Sequence, residues 1–181
     1  MKYISLLRGI NVSGQKKIKM ADLKSLYEDL GYHSVITYIQ SGNVIFETGE
    51  KDKASIQMKI ESAIKTSFKF EVPVILRTTN ELKKIIKQNP FEVKDLSADG
   101  SKVLVSLLSG KPEKPKVIEI KKFAADAESL ESKGMEIYLH CPNGYGKSKL
   151  SNAFVETKLG LSATTRNWKT IIKLSELSGV S

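Results

Sequence analysis

From Tyr3 to Leu76 the apolar residues alternate between short runs and helical spacing, and the order of those patterns restricts the fold most. Tyr3 to Leu7 is an apolar run bounded by Arg8-Gly9, which reads as a strand. Met20, Leu23, Leu26, Tyr27 and Leu30 recur at helical spacing, and Gly31 stands where a C-terminal cap belongs. Thr37-Tyr38-Ile39-Gln40-Ser41-Gly42-Asn43-Val44-Ile45-Phe46 predicts two strands joined at a tight turn, since Gly42 accepts φ > 0 without steric cost. Ile56, Ile60, Ala63 and Ile64 mark a second amphipathic helix. Val72 to Leu76 reads as a fourth strand, with Pro73 near its beginning. The order strand, helix, strand, strand, helix, strand is that of the split βαβ, or ferredoxin-like, plan.

A short helix follows, with Asn80 as its cap and Leu82, Ile85 and Ile86 on one face, ending before Asn89-Pro90. Residues 89–102 carry Pro, Asp, Ser and Gly and read as a linker. The pattern then partly repeats. Val103 to Leu108 predicts a strand, Glu113 to Phe123 a helix, residues 126–132 a polar strand and Met135 to His140 a clearer one. Leu150, Phe154 and Leu159 share one helix. Where a final strand would fall the chain instead offers Thr164-Thr165-Arg166-Asn167-Trp168, before a last helix capped by Asn167 or Thr165. The expectation is an α+β chain of two tandem ferredoxin-like halves with antiparallel sheets, residues 1–95 and 96–181, plus an extra C-terminal helix. The likeness between halves lies in element order, not in repeated sequence.

Composition excludes several classes. In 181 residues, 40% are hydrophobic and 27% charged, a globular balance that leaves room for real cores. Net charge is +9, which invites an anionic partner, but it is spread. Residues 1–95 hold 16 Lys+Arg against 11 Asp+Glu, and residues 96–181 hold 13 against 9. No block of like charge forms a nucleic-acid arm. Cys141 is the sole cysteine, so no internal disulfide can form. The apolar start breaks at Arg8, too early for a signal peptide, and no segment is long enough to span a bilayer. A cytoplasmic location without a membrane is the expectation.

The topology also predicts where a site lies. In the split βαβ sheet, the loop after the first strand and the hairpin between the second and third lie at one end. Arg8 and Asn11 are therefore expected to approach Gln40, Ser41 and Asn43. A hairpin tip needs one Gly or Asn, so the additional polar side chains exceed what the turn requires.

Leu7-Arg8-Gly9-Ile10-Asn11-Val12, Tyr38-Ile39-Gln40-Ser41-Gly42-Asn43-Val44 and Thr165-Arg166-Asn167-Trp168, in that order, resemble the bacterial domain-of-unknown-function 1697 family. Lys147-Ser148-Lys149-Leu150 is similar to that family's segment before its penultimate helix. The resemblance runs nearly end to end. It implies two ferredoxin-like halves and no particular activity. At Ser13-Gly14 this chain departs from a Gly-Gly pair, which tightens the loop's backbone freedom.

Each motif has two readings. Arg8 either receives a phosphate or carboxylate bidentately or ties down its own loop. Asn11, Gln40, Ser41 and Asn43 either donate to a ligand or cap one another's backbone, with Gln40 the best ligand-facing residue and Asn43 the more structural. Cys141 to Ser148, between a strand and a helix, has the setting of a phosphate-binding loop, but Cys141 stands where Gly is needed and Pro142 removes an N–H. What survives is an anion site from Lys147 at a helix start, against Ser148 simply capping that helix. Arg166, Asn167 and Trp168 either hold a ring by stacking and hydrogen bonding or serve as ion-pair partner, cap and core plug.

His33, His140 and Cys141 sit at no metal-ligand spacing, no nucleophile elbow occurs, and no base–nucleophile pair is visible. No catalytic residue, metal or cofactor is therefore expected, and whether the chain is an enzyme stays open. The expectation is binding of a small anionic ligand, a nucleotide or phosphorylated metabolite, by Arg8, Asn11 and Gln40, with Arg166 as a further contact. The alternatives are a nucleic-acid-binding module using the diffuse basic surface and an enzyme of unidentified reaction.

Overall fold

A computed structural model describes residues 1–179 of the chain. Two four-stranded antiparallel sheets and seven α-helices make up these residues. The described residues divide into two compact units, one of Met1–Lys83 with residues 174–179, the other of Lys84–Lys173.

The first sheet comprises β1 (Lys2–Leu7), β2 (His33–Tyr38), β3 (Asn43–Glu47) and β4 (Val74–Thr78), in the order β2-β3-β1-β4. The helices α1 (Met20–Asp29) and α2 (Lys53–Phe68) bury one face each against it. Leu23, Leu26 and Tyr27 of α1 and Ile56, Ile60 and Ile64 of α2 recur at three or four residues, the spacing of one helical face. They meet Tyr3 and Leu7 of β1, Val44 and Phe46 of β3, and Val74 and Leu76 of β4. Alternate residues of β1, Ile4 and Leu6, point to the opposite face and are buried too. A strand buried on both sides has no reason to alternate, which is why Tyr3 to Leu7 reads as a continuous apolar run.

Phe46 is the centre of this core. Tyr32 stacks on it at 4.6 Å between ring centroids, Tyr27 meets it edge-on at 5.3 Å, and Tyr3 lies 5.8 Å away. Tyr27 is fully buried, so burial pushes its phenol above the usual range, and its hydroxyl is satisfied by Ser5 Oγ at 2.6 Å. The Tyr32 hydroxyl is buried with no hydrogen-bond partner among the described residues.

β4 begins at Val74 rather than Val72 and runs on through Arg77 and Thr78. Pro73 lies outside the ladder, its carbonyl accepting from the Arg8 N–H at 2.9 Å. The helix α3 (Thr79–Lys87) follows at once, and Thr78 rather than Asn80 caps it. Thr78 Oγ1 accepts from the Glu81 N–H at 3.2 Å, while Glu81 Oε2 accepts from the Thr78 N–H at 2.7 Å. That reciprocal pair is a capping box, and Thr78-Thr79-Asn80-Glu81 carries its spacing.

The second unit repeats the strand order. After α4 (Leu96–Asp99) come β5 (Val103–Leu108), α5 (Lys114–Lys121), β6 (Ser129–Lys133), β7 (Glu136–His140), α6 (Asn152–Leu159), β8 (Ala163–Asn167) and α7 (Trp168–Leu177), of which the residues up to Lys173 belong to this unit. Its sheet runs β6-β7-β5-β8. Two sequence expectations are corrected here. The polar strand covers 129–133 rather than 126–132, and Thr164 to Asn167 lies in a strand after all. β-branched Thr164 and Thr165 suit a pleated ladder, and pairing with β5 supplies the backbone bonds. The core gathers Leu104, Ile120, Leu139, Cys141, Leu150 and Val155.

Removing the orphaned Tyr32 hydroxyl relieves a desolvated donor without changing the ring stack. Tyr32→Phe is expected to raise the unfolding free energy by about 1 kcal/mol. Urea denaturation checks this, and a clear loss of stability would show that the hydroxyl has a partner.

Candidate functional site

The hairpin tip occupies Ile39 to Gly42, between β2 and β3. Gly42 has φ +79° and donates no bulk: a Cβ there would sit 2.7 Å from Ile10 Cδ1 and 2.8 Å from Leu7 Cβ. Its carbonyl accepts from the Leu7 N–H at 2.8 Å. Glycine is therefore required twice, by conformation and by the approach of the tip to β1. Asn43 is buried, and its Nδ2 donates to the Tyr38 carbonyl at 2.9 Å and to Ser41 Oγ at 3.1 Å. Ser41 and Asn43 thus brace the turn from inside.

Ile39, expected in the strand, stands at φ +52° instead. That conformation is a genuine outlier for a β-branched residue. Its side chain is 46% exposed, and the adjacent Gln40 is exposed.

The loop between β1 and α1 folds onto this tip. Buried Ile10 and Ile18 anchor its two ends. Between them Asn11, Ser13, Gly14 and Lys16 all have positive φ, a path that turns the chain back on itself. Asn11 closes it. Its Oδ1 accepts from the Ile18 N–H at 2.9 Å, and its Nδ2 donates to the Ile18 carbonyl at 2.9 Å and the Gln40 carbonyl at 2.9 Å. One carboxamide therefore holds the loop shut and ties it to the hairpin. Lys16 Nζ donates to the Glu71 carbonyl at 2.7 Å, which fastens the outer side of the loop. Arg8 is half-buried at the start of this path. The outer surface presents Gln40, exposed Lys17 and Lys19, and the aliphatic Val12 and Ile39.

The remaining residues singled out in the sequence lie in the second unit. Arg166 is buried on β8, its Nη1 donating to Thr164 Oγ1 at 2.7 Å and the Thr165 carbonyl at 3.0 Å. Asn167 Oδ1 accepts from the Thr170 N–H at 2.9 Å, the cap of α7, and Trp168 is 6% exposed. The cap and core roles of Asn167 and Trp168 are thus filled. Thr165 Oγ1 donates to Asn152 Oδ1 at 2.6 Å and lies 2.6 Å from Ser106 Oγ and 3.3 Å from the Tyr145 hydroxyl.

Lys147 does not open a helix. It ends a 3-10 turn, Tyr145–Lys147, and α6 starts only at Asn152. Ser151, not Ser148, caps that helix, accepting from the Phe154 N–H at 3.3 Å. Cys141 is fully buried within the core of this unit, and burial pushes its thiol up to about 11. Among the described residues no cluster of His, Cys, Asp and Glu offers a metal site, and no helix is long and apolar enough to cross a membrane.

Sequence reasoning missed Arg77. It is 3% exposed on β4, with Nη1 donating to the Leu76 carbonyl at 3.0 Å, as Arg166 does to Thr165 on β8. In both strands the arginine immediately precedes a helix-capping residue, Thr78 or Asn167. Arg-Thr and Arg-Asn before a helical pattern were the available signal.

A family model described as "Protein of unknown function (DUF1697)" matches residues 1–138. The chain belongs to that family. No curated protein matches it. The solved structure of the conserved bacterial protein SP0830 from Streptococcus pneumoniae is similar at 23% identity, covering 98% of each chain with a TM-score of 0.74. At that identity the likeness is one of fold.

The bonds of the Asn11 carboxamide to Ile18 and Gln40 make Asn11 the residue on which this end of the sheet depends. Asn11→Ala is expected to cost about 2–3 kcal/mol, through unpaired backbone groups at Ile18 and Gln40 and loss of a side chain that tolerates positive φ. Chemical denaturation reads this, and a cost below about 0.5 kcal/mol, the usual range for surface substitutions, would remove Asn11 from that role.

Proposed function

We propose that this chain binds a small anionic ligand, a nucleotide or phosphorylated metabolite, where the loop after β1 meets the β2–β3 turn. The observation that carries the reading is the Asn11 carboxamide, which fixes the loop and the hairpin in one arrangement before any ligand arrives. Preorganised loops lose little entropy on binding, so a few polar contacts suffice for affinity. Asn11, Ser41 and Asn43 act as positioning residues under this reading. Arg8 and Gln40 make the contacts, with Lys17 and Lys19 raising the local positive potential.

The setting for the site is read as a ferredoxin-like, split βαβ half, repeated in tandem over residues 1–95 and 96–181. The strand orders β2-β3-β1-β4 and β6-β7-β5-β8 support that plan. A bacterial cytoplasmic protein fits the single cysteine, buried and unpaired, and the bacterial relative of similar fold.

Thermal shift at two salt concentrations, with nucleotides, phosphorylated metabolites, free phosphate, RNA and DNA, tests the proposal. A ligand at one hundred times its dissociation constant stabilises the fold by about 2.7 kcal/mol. A salt-tolerant shift with one small anion is expected, with at least half of it lost in Gln40→Ala and in Arg8→Ala. A shift with RNA or DNA alone, falling steeply with salt, would replace this reading with a nucleic-acid module. Silence across the panel would overturn it.

A further inference from the structure

We propose a second binding site in the other unit: the groove between α5 and β6 docks an acidic peptide segment, added as an extended strand to the edge of β6. β6 lies at the end of its sheet, with β7 as its strand neighbour. An edge strand presents a row of unpaired N–H and C=O groups to whatever lies alongside. The two sheet edges on the hairpin side differ in how they manage this. β2 is broken by an irregularity between His33 and Ile36, where Ser34 stands at φ +51°. β6 pairs with β7 in unbroken register from Ser129↔His140 to Lys133↔Glu136, without such a break.

Beside that edge runs a groove of about 390 Å³ with an apolar floor of Val117, Ile118 and Leu130. Ile120 is the residue α5 buries in the core, which turns Ile118 away from it and leaves its side chain 63% exposed. The rim is cationic, from Lys111, Lys114 and Lys121. Lys121 Nζ reaches across to Glu131 Oε1 on β6 at 2.8 Å, so one carboxylate on the strand already meets a lysine of the helix. Lys111 and Lys114 form no ion pair or hydrogen bond among the described residues.

Charge selects the occupant. A second copy of this chain would bring a net +9 against the same three lysines, which disfavours self-pairing. A small anion would engage the rim and leave both the strand edge and the apolar floor unused. A peptide strand whose groove-facing positions, every second residue, carry acid, aliphatic and acid uses all three: backbone to the β6 edge, the aliphatic side chain to Ile118 and Val117, carboxylates to Lys111 and Lys114. This is strand addition into a groove between an edge strand and a helix.

The test uses the ¹⁵N-labelled full chain and three synthetic hexapeptides. One carries Glu, Val and Glu at positions 1, 3 and 5, with Ser or Thr between them, so that acids and aliphatic share one face. The second replaces its acids with Lys, and the third keeps the acids but carries N-methyl groups on alternate amides. The acidic peptide is expected to shift the amide resonances of 129–133 and 114–121, and the other two are not. The double variant Lys111→Glu, Lys114→Glu, changed only at exposed positions, is expected to weaken binding about tenfold or more. No shift in those segments would overturn the proposal, as would an equal response to the N-methylated peptide, which would reduce the site to charge alone. Concentration-dependent dimerisation shifting the same resonances would assign the groove to a second copy and overturn it too. None of these outcomes involves Arg8 or Gln40, so failure here leaves the anion site standing, and the reverse.

Discussion

A strand paired on both edges and buried on both faces tolerates no unsatisfied polar atom, and β1 and β5 are both such strands. Each nevertheless carries a fully buried serine near its middle, Ser5 and Ser106. Ser5 bonds the Tyr27 hydroxyl of α1, and Ser106 bonds Thr165 of β8. In the first case the bond crosses from sheet to helix and fixes where α1 sits. In the second it crosses between strands and extends through Thr165 to Asn152 of α6. Buried polar pairs contribute little net energy when satisfied and cost one to several kcal/mol when one partner is missing. They therefore set register and helix placement more than they add stability.

Arg77 and Arg166 impose the same condition on the outer strands. A guanidinium has five donors, and burying it requires acceptors close at hand. Each arginine takes the carbonyl of the residue before it, and Arg166 also takes the Thr164 hydroxyl. The strand-to-helix junctions that follow are capped by side chains from the strand ends, Thr78 and Asn167. The turn from sheet to helix is thereby made without a connecting loop: α3 and α7 start at the residue after each strand.

Much of this was legible in the chain because burial on one or two faces leaves a periodic trace. Leu23, Leu26, Tyr27 and Ile56, Ile60, Ile64 announce their helices, and Tyr3 to Leu7 its doubly buried strand. β8 was not legible. Its polar residues are buried by virtue of hydrogen bonds that no apolar pattern records, so Thr164-Thr165-Arg166-Asn167 looks like a loop. The juxtaposition of Asn11 with the hairpin followed from element order alone. That the carboxamide would bridge Ile18 and Gln40 depends on the path of the loop, which local sequence does not encode. The β6 groove was invisible for a different reason. Being an edge is a property of sheet order, and Ile118 in a short helix gives no periodic signal.

Among the described residues, the loop after β1 and the tip it touches hold four of the six non-glycine residues with positive φ, namely Asn11, Ser13, Lys16 and Ile39. Such conformations cost about 1–3 kcal/mol each, least for asparagine and most for a β-branched side chain. A two-residue turn would join β2 and β3, and a short link would lead from β1 into α1, without that cost. The bonds of Asn11 and the burial of Ile10 and Ile18 offset the strain. The path so held turns Gln40 outward beside Ile39, on a tip that Gly42 lets press against β1.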